Sequence, residues 1–341
     1  MTTNNSYKKI ILFGYSVLFK NIIKICNETS ITSLIIFSER QENNINALDI
    51  DPIKTSLIKA NSLDNNFLKE EIMENYTLGI SIGSPYIFTN ENIRLFSGNL
   101  INSHGAPLPS FKGGGGFSWR ILQGDRRGSS LIHLISDKID EGEIIFKKNF
   151  FFDNAERIPI DFERRQLKED KKHILNHIEK IIKGKISIND RNNIELERNN
   201  LETYFPRLKT DFHALIDWQL NIDDLEKFIL AFSHPYSGAF TKYKQIKISI
   251  FDLKIISKEY IHPFIYGLIL FTDEYEVIVA VNGGIVSFKQ CDIEKSNPEI
   301  IIKAGERLYS NYQDLIEVKS SRVFFNPKGY KLINYNVEEK S

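Results

Sequence analysis

Only two cysteines, Cys26 and Cys291, occur in 341 residues, and neither belongs to a CxxC pair or a Cys/His cluster. That excludes a disulfide-stapled scaffold and a cysteine-built zinc site. No sign of charge is in excess: Lys plus Arg and Asp plus Glu both total 44, and the pI is about 7.1. A surface that wraps polyanionic nucleic acid carries a basic surplus, so no nucleic-acid partner is expected. No uninterrupted apolar run approaches the roughly eighteen residues a membrane span needs. The stretch Met1 to Ser6 is polar and lacks the charged and apolar regions of a leader. The expectation is a cytoplasmic protein without membrane insertion. What is present is the ordinary material of a globular chain, 42% hydrophobic and 26% charged, and its length suggests two domains.

The first half alternates apolar runs with helical patterns. Ile10-Ile11-Leu12-Phe13 ends at Gly14, and a helical pattern follows from Val17 to Asn27. Further strand candidates are Leu34 to Phe37, Leu78 to Ile82, Leu100 to Ser103, Ser130 to Leu134 and Ile144 to Phe151. Strands that are apolar throughout and alternate with helices predict an α/β unit with a mainly parallel sheet covered on both faces. In such sheets, ligands sit beyond the carboxyl ends of the strands. A long helix is expected from Ile158 to Lys183, with Gly184 as its cap. The polar stretch from Asn189 to Asn200 reads as a linker. We divide the chain into residues 1–188, a linker at 189–203, a second domain at 204–311 and a charged tail at 312–341. The second domain opens with a helix from Ile222 to Phe232 capped by Asn221. Short strands then predict a small antiparallel barrel, with a hairpin turn at Asn282-Gly283-Gly284. The tail has one apolar patch, Val323-Phe324-Phe325.

Chemistry concentrates between Asn102 and Gly142. Asn102 and His104 are two apart at a strand end, so both side chains leave on one face. Pro107 and Pro109 rule out a strand interior, and Lys112 precedes four glycines, Gly113 to Gly116. A glycine run costs chain entropy and gives a core nothing; its use is close approach of backbone N–H groups to a ligand. An acidic segment, Asp137-Lys138-Ile139-Asp140-Glu141, follows the Ser130–Leu134 strand, and spacing leaves open which carboxylate faces inward. His133, inside that strand, reads as a hydrogen-bonded interior histidine. His173 and His177 have the i, i+4 spacing of a zinc pair, but Ile174 and flanking lysines make a solvated helix face the better reading, and no metal is expected. Gly14-Tyr15-Ser16 precedes a helix whose free N–H groups would suit a pyrophosphate, or Gly14 is simply a strand-ending turn. It is not a GxGxxG fingerprint, so dinucleotide oxidoreduction is not supported.

Together these residues resemble the 10-formyltetrahydrofolate-dependent formyltransferase family. The match is the Asn-x-His pair, the proline-rich turn, the glycine loop, Ile121-Leu122-Gln123-Gly124-Asp125, and Asp140-x-Gly142 before an aliphatic strand. It extends through Tyr204-Phe205-Pro206-Arg207, Leu215 to Trp218 and Ser237 to Phe240 to Ala304-Gly305-Glu306-Arg307-Leu308, covering residues 8–310. The resemblance implies a Rossmann-like N-terminal domain and a smaller β-barrel-like (OB-type) C-terminal domain. It implies 10-formyltetrahydrofolate as formyl donor, Asn102, His104 and Asp140 as the catalytic set, and a folate held by Ser84, Tyr86, Ile87, Asp137, Lys138 and Ile139, largely through backbone. The Lys112 loop with Phe117-Ser118-Trp119 looks like the sugar N-formyltransferase branch, whose acceptor is a nucleotide-linked amino sugar. Gly14, Tyr15, Ser16, Lys112, Gly113, Gly114, Trp119 and Tyr236 are its expected contacts, entering from a side different from the folate. Lys112 would neutralise phosphate. Family resemblance favours dTDP-4-amino-4,6-dideoxyglucose and surface-glycan synthesis; a homodimer is expected, with the tail's apolar patch as a candidate contact. The alternatives are a methionyl-tRNA formyltransferase, or a non-catalytic nucleotide or folate binder on the same scaffold.

Overall fold

The computed structural model describes residues 7–114, 116–189, 201–244, 246–289 and 301–334. Cys291, Gly115 and most of the expected linker lie outside them. The chain opens with β1 (Lys9–Gly14), α1 (Phe19–Glu28), β2 (Thr32–Phe37), α2 (Glu42–Asn46), β3 (Thr55–Lys59), α3 (Asn65–Glu71) and β4 (Thr77–Ile82). It continues with α4 (Asn90–Leu95), β5 (Leu100–His104), β6 (Lys112–Gly113), α5 (Gly116–Gln123), β7 (Arg127–Leu134), β8 (Ile144–Phe151) and α6 (Pro159–Ile182). Seven of these strands form one sheet in the order β3-β2-β1-β4-β5-β7-β8. β3 through β5 are parallel, and β7 turns back antiparallel against both neighbours.

The apolar run of β1 explains why the sheet is covered twice. Ile10 and Leu12 join one core cluster with Phe19 and Ile22 of α1 and Ile174 and Ile178 of α6. Ile11 and Phe13 point the other way, into a cluster with Leu68 of α3 and Phe96. The parallel sheet expected from the unbroken apolar strands is therefore present. β3 was not anticipated: it is an edge strand with mostly exposed side chains, so it carries no buried run.

Strand order reverses between β1 and β4, which creates a switch point at their carboxyl ends. Gly14 stands there at φ +98°, and a Cβ on it would lie 2.6 Å from the Ser84 Cα. The turn after β1 and the turn after β4 thus touch through their backbones, and the Tyr15 N–H donates to the Ile82 carbonyl at 3.1 Å.

The second unit comprises β9 (Tyr204–Phe205), α7 (Thr210–His213), α8 (Ile222–Ala231), β10 (Ala239–Tyr243), β11 (Ile246–Ile250), β12 (Lys254–Lys258), β13 (Ile269–Thr272), β14 (Glu276–Val281) and β15 (Gly284–Lys289). Asn221 caps α8 through the N–H groups of Asp223 and Asp224, as its position predicts. The antiparallel strands form a β12-β15-β14-β13 sheet and a β10-β11 ladder. Bridges from Tyr309 to Lys242 and from Arg307 to Leu268 link the two around one core. Residues read as a tail fold into α9 (Tyr312–Ser320) and a hairpin of β16 (Ser321–Asn326) and β17 (Gly329–Asn334). Their apolar residues are partly spent inside the chain: Leu315 joins the second unit's core and Val323 is buried.

The two units share that core. Ile121, Phe152 and Phe162 from the first belong to the cluster built on α8 and the antiparallel strands, and the Ser118 hydroxyl in α5 donates to the Ala231 carbonyl at 2.8 Å. α5 carries the glycine loop, so the second unit holds that loop in place.

Among the buried acids, Asp170 of α6 stands out. It accepts from the Ser130 hydroxyl at 2.6 Å and the Gln166 amide at 2.9 Å, and burial pushes its pKa up to about 6. Below about pH 4 it is neutral whether the chain is folded or unfolded, and burial adds no ionic penalty; above about pH 6 the folded state must hold the charge, at a cost of about 2–3 kcal/mol. Asp170→Asn keeps an acceptor for both donors. It is expected to raise the melting temperature by several degrees near pH 7.5 and to leave it unchanged near pH 4. An equal change at both pH values in thermal melts would rule this account out.

Candidate active site

β5 ends the parallel part of the sheet, and its pleat puts Asn102 and His104 on one face at the carboxyl edge. The antiparallel register sets His133 of β7 directly opposite Asn102. A register shift at Ile132/His133, where β7 meets β8, breaks the regular pleat at this position. The Asn102 Nδ2 lies 3.0 Å from His133 Nε2, and His133 Nδ1 lies 2.7 Å from the Leu134 carbonyl oxygen. A carbonyl oxygen can only accept, so His133 carries its proton on Nδ1 and receives the Asn102 amide on a bare Nε2. This fixes Asn102 with Nδ2 as the hydrogen-bonding end and leaves its second N–H for a ligand.

Asp140 closes the group from the loop after β7. It takes a left-handed backbone, φ +55°, which Asp tolerates better than most residues. Its Oδ2 accepts the Gly113 N–H at 2.8 Å, and its Oδ1 lies 3.6 Å from both His104 Nδ1 and His133 Nε2. Burial opposes its charge, but the two imidazoles and the Gly113 N–H prevail and hold its pKa down at about 2. Gly142 permits this loop to close, because a Cβ there would overlap the Leu134 carbonyl oxygen.

The His104 Nε2 lies 3.0 Å from the Phe111 carbonyl oxygen. Burial lowers its pKa most; Asp140 and the Phe111 carbonyl pull upward, while His133 and Arg120 push down, and the net direction is downward. The ring is therefore neutral in the resting state. Both ring nitrogens nevertheless face acceptors, so the surroundings fit the protonated ring that forms once it has taken a proton. Such an arrangement can serve a general base whose protonated product is stabilised in advance.

A pocket of about 140 Å³ opens beside His104, lined among others by Ala106, Phe111, Gly113, Gly114, Phe117 and Arg120. Arg120 was not singled out from the sequence, where it is one arginine in a helical stretch. It is 1% exposed, donates to the carbonyls of Gly116, Arg127 and Gly105, and lies over the faces of Phe117, Phe152 and Phe162. Burial lowers its pKa to about 9, which still leaves it charged at neutral pH.

The other expected contacts are distributed as follows. Lys112 is buried with its ammonium 3.0 Å from Glu141 and 2.8 Å from Glu202, a pairing that competes with the phosphate role expected for it. Gly113 and Gly114 line the pocket. Trp119 donates its indole N–H to the Pro206 carbonyl at 2.7 Å and packs on Phe205. Tyr236, in the loop after α8, lies beside Ser118 of α5, and burial raises its pKa. Gly14, Tyr15 and Ser16 sit at the switch point, with the Ser16 hydroxyl accepting from Leu18. Ser84 accepts from the Tyr86 N–H, and the Tyr86 ring is buried with its hydroxyl on the Ala60 carbonyl, which leaves backbone rather than ring for a ligand. Ile87, Asp137, Lys138 and Ile139 are exposed. Because Gly14 touches Ser84, the two sets of contacts assigned to separate sides meet at the switch point. On α6, His173 lies 3.4 Å from Glu169, and His177 is half-buried against Phe146 rather than on a solvated face. Among the described residues no cluster of three or more His, Cys, Asp or Glu is placed to hold a metal ion, and no helix is long and apolar enough to cross a membrane.

An imidazole buttressed by a carboxylate, beside an oriented carboxamide at the carboxyl edge of a doubly wound sheet, can move a proton and hold a developing negative oxygen. Its architecture recurs in known proteins. The chain belongs to the formyl transferase family: residues 8–178 match the family's formyl transferase domain and residues 209–301 its C-terminal domain. A methionyl-tRNA formyltransferase of Flavobacterium psychrophilum is 25% identical over 54% of this chain, and the match spans 56% of that relative's length. Among solved structures, WlaRD, a sugar 3N-formyl transferase crystallised in the presence of dTDP and 5-N-formyl-THF, matches with a TM-score of 0.57 at 17% identity, over 83% of this chain and 97% of its own. An N-formyltransferase from Helicobacter canadensis in complex with folinic acid and dTDP-3-aminofucose matches at 0.56 and 18%, over 83% and 99%. At these identities the likeness is one of fold.

Proposed function

We propose that this chain is a sugar N-formyltransferase that moves a formyl group from 10-formyltetrahydrofolate to the amino group of a nucleotide-linked amino sugar. The observation that carries this reading is the polar group built on His104, which lines the pocket: Asp140 lies 3.6 Å from both His104 and His133, and His133 holds the Asn102 amide. The residues fit such a donor: a neutral base and an amide donor for a developing negative oxygen, with the loops 84–87 and 137–139 as its expected seat. The donor, when bound, supplies an electrophilic formyl carbon.

The Phe111 carbonyl, which can only accept, holds the resting His104 proton on Nε2, so the bare Nδ1 beside Asp140 takes the proton from the attacking amine and returns it to the folate nitrogen as the bond from that nitrogen to the formyl carbon breaks. Asp140 supports the resulting imidazolium from one side and the Phe111 carbonyl from the other. The free Nδ2–H of Asn102 stabilises charge on the formyl oxygen. Arg120, a cation at the pocket wall, disfavours protonation of both His104 and an incoming amine, and so keeps the nucleophile neutral.

A dTDP-linked amino-dideoxysugar is the acceptor we favour, with a role in surface-glycan synthesis, a cytoplasmic setting and a homodimer. The methionyl-tRNA reading is favoured by the curated relative. It is opposed by the balanced charge, since a tRNA footprint needs a surplus of Lys and Arg. The test is formyl transfer onto a panel of dTDP- and UDP-linked 3-amino and 4-amino sugars, alongside methionyl-tRNA. Turnover of a nucleotide sugar supports the proposal; turnover of methionyl-tRNA alone overturns it, and turnover of none assigns the chain to binding without catalysis.

A further inference from the structure

The C-terminal hairpin lies beyond residue 301, where the family's C-terminal domain match ends. It does not hang free. Two arginines from distant parts of the chain lie over the ring of Phe325 in β16: the Arg40 Cζ is 4.7 Å and the Arg207 Cζ 5.6 Å from its centroid. The two cations are thus no more than about 10 Å apart. Arg40 follows the carboxyl end of β2 and donates to the Asn326 carbonyl of the hairpin at 3.0 Å. Its neighbour Gln41 donates to the Gly83 carbonyl, which ties this turn to the switch point. The stem of Arg207 lies directly on Gly114 of the glycine loop.

Two like charges are held near one another here, and burial together with the Arg207 charge lowers the Arg40 pKa. Among the described residues Arg94, Arg120, Arg126 and Arg307 meet no carboxylate, whereas Arg127, Arg157, Arg164 and Arg165 each have a carboxylate within 4 Å. Among the described residues, neither Arg40 nor Arg207 does; Glu39, adjacent to Arg40, accepts from Asn61 instead. Lys112, the cation expected at this loop, is already engaged by Glu141 and Glu202. Both arginines are exposed, and the geometry suits them to a ligand's negative charge. Guanidinium forks suit phosphate oxygens, which they meet through paired N–H groups.

We propose that Arg40 and Arg207, stacked on Phe325, form a clamp for the diphosphate of the acceptor, and that the C-terminal hairpin is the strap that sets its spacing. The inference rests on the nucleotide-sugar reading above and deepens it. With the diphosphate between the switch-point turn and the glycine loop, the sugar end extends past Gly114 toward His104, whose pocket Gly113 and Gly114 line.

The experiment measures binding of dTDP, inorganic pyrophosphate and folinic acid to the full chain by calorimetry, for wild type, Arg40→Gln, Arg207→Gln and Phe325→Leu. Each arginine variant is expected to weaken dTDP and pyrophosphate about 10-fold or more, with folinic acid unchanged. Phe325→Leu keeps an apolar strap but loses the ring face, and is expected to weaken both several-fold. An unchanged folinic acid affinity also verifies that the variants fold. Unaltered dTDP affinity in the arginine variants would overturn the clamp and leave the acceptor reading standing. Pyrophosphate binding that depends on the arginines, in a wild type that ignores dTDP, would support the clamp and overturn the nucleotide reading. Weakened folinic acid with intact dTDP would assign the arginines to the folate's carboxylates and overturn the proposal.

Discussion

His104→Asn is expected to lower the rate of formyl transfer about 100- to 10,000-fold, the range associated with removing a positioned general base. The substitution is gentle structurally. His104 is partly exposed, its ring makes one hydrogen bond to the Phe111 carbonyl, and an asparagine amide can donate to the same region. Circular dichroism and melting temperature should therefore stay close to wild type while turnover collapses. The wild-type pH profile is the companion measurement. Burial pushes the His104 pKa below the ordinary 6.5, so the active neutral form is complete at neutral pH. Activity should fall as pH drops through a value under 6.5, and this acid limb should vanish in the residual activity of His104→Asn. A variant with near-wild-type turnover would remove His104 from the proton path.

Asp140→Asn should be nearly as damaging, at least about 100-fold, but with a different signature. The charge of Asp140 raises the His104 pKa against burial, so removing it moves the acid limb to lower pH while the plateau drops. A merely structural role for Asp140 would lower activity without moving that limb. The same carboxylate contributes to stability with a definite sign. Its folded pKa of about 2 lies below the ordinary 3.8, so its contribution is fully present above about pH 4 and is lost as pH falls through about 2. Thermal melts of the variant at neutral pH should thus show a modest deficit, distinguishable from the kinetic loss by assaying well below the melting temperature.

Different parts of this site were legible in the sequence to different degrees, for physical reasons. Asn102 and His104 could be paired because a strand's period of two is local information. Asp140 could not be separated from Asp137 and Glu141 by spacing, since a loop has no period; resemblance alone selected it. In the structure Asp137 is exposed, Glu141 meets Lys112, and the left-handed backbone of Asp140 accompanies its approach to the two imidazoles. The contact of His133 with Asn102 depends on strand register and on the shift beside it, neither of which is written in one strand. The engagement of Lys112 was hidden because Glu202, ninety positions away, cannot be seen from its neighbourhood. The parallel sheet was readable from unbroken apolar runs, whereas β3, polar and at the edge, carried no such mark. The hairpin's placement was least accessible, because Arg40 and Asn326 are 286 positions apart.

The aromatic seam between the two units has a consequence for how ligands reach the site. Phe162 lies stacked on Phe152 at 3.9 Å, and both belong to the same buried cluster as Trp218 and Phe232. Parting the units would strip these rings of cover all at once, so the seam behaves as a weld and not as a hinge. Reactants must then come and go with the two units held together, and the isolated first half would expose a greasy flank to its neighbours and clump.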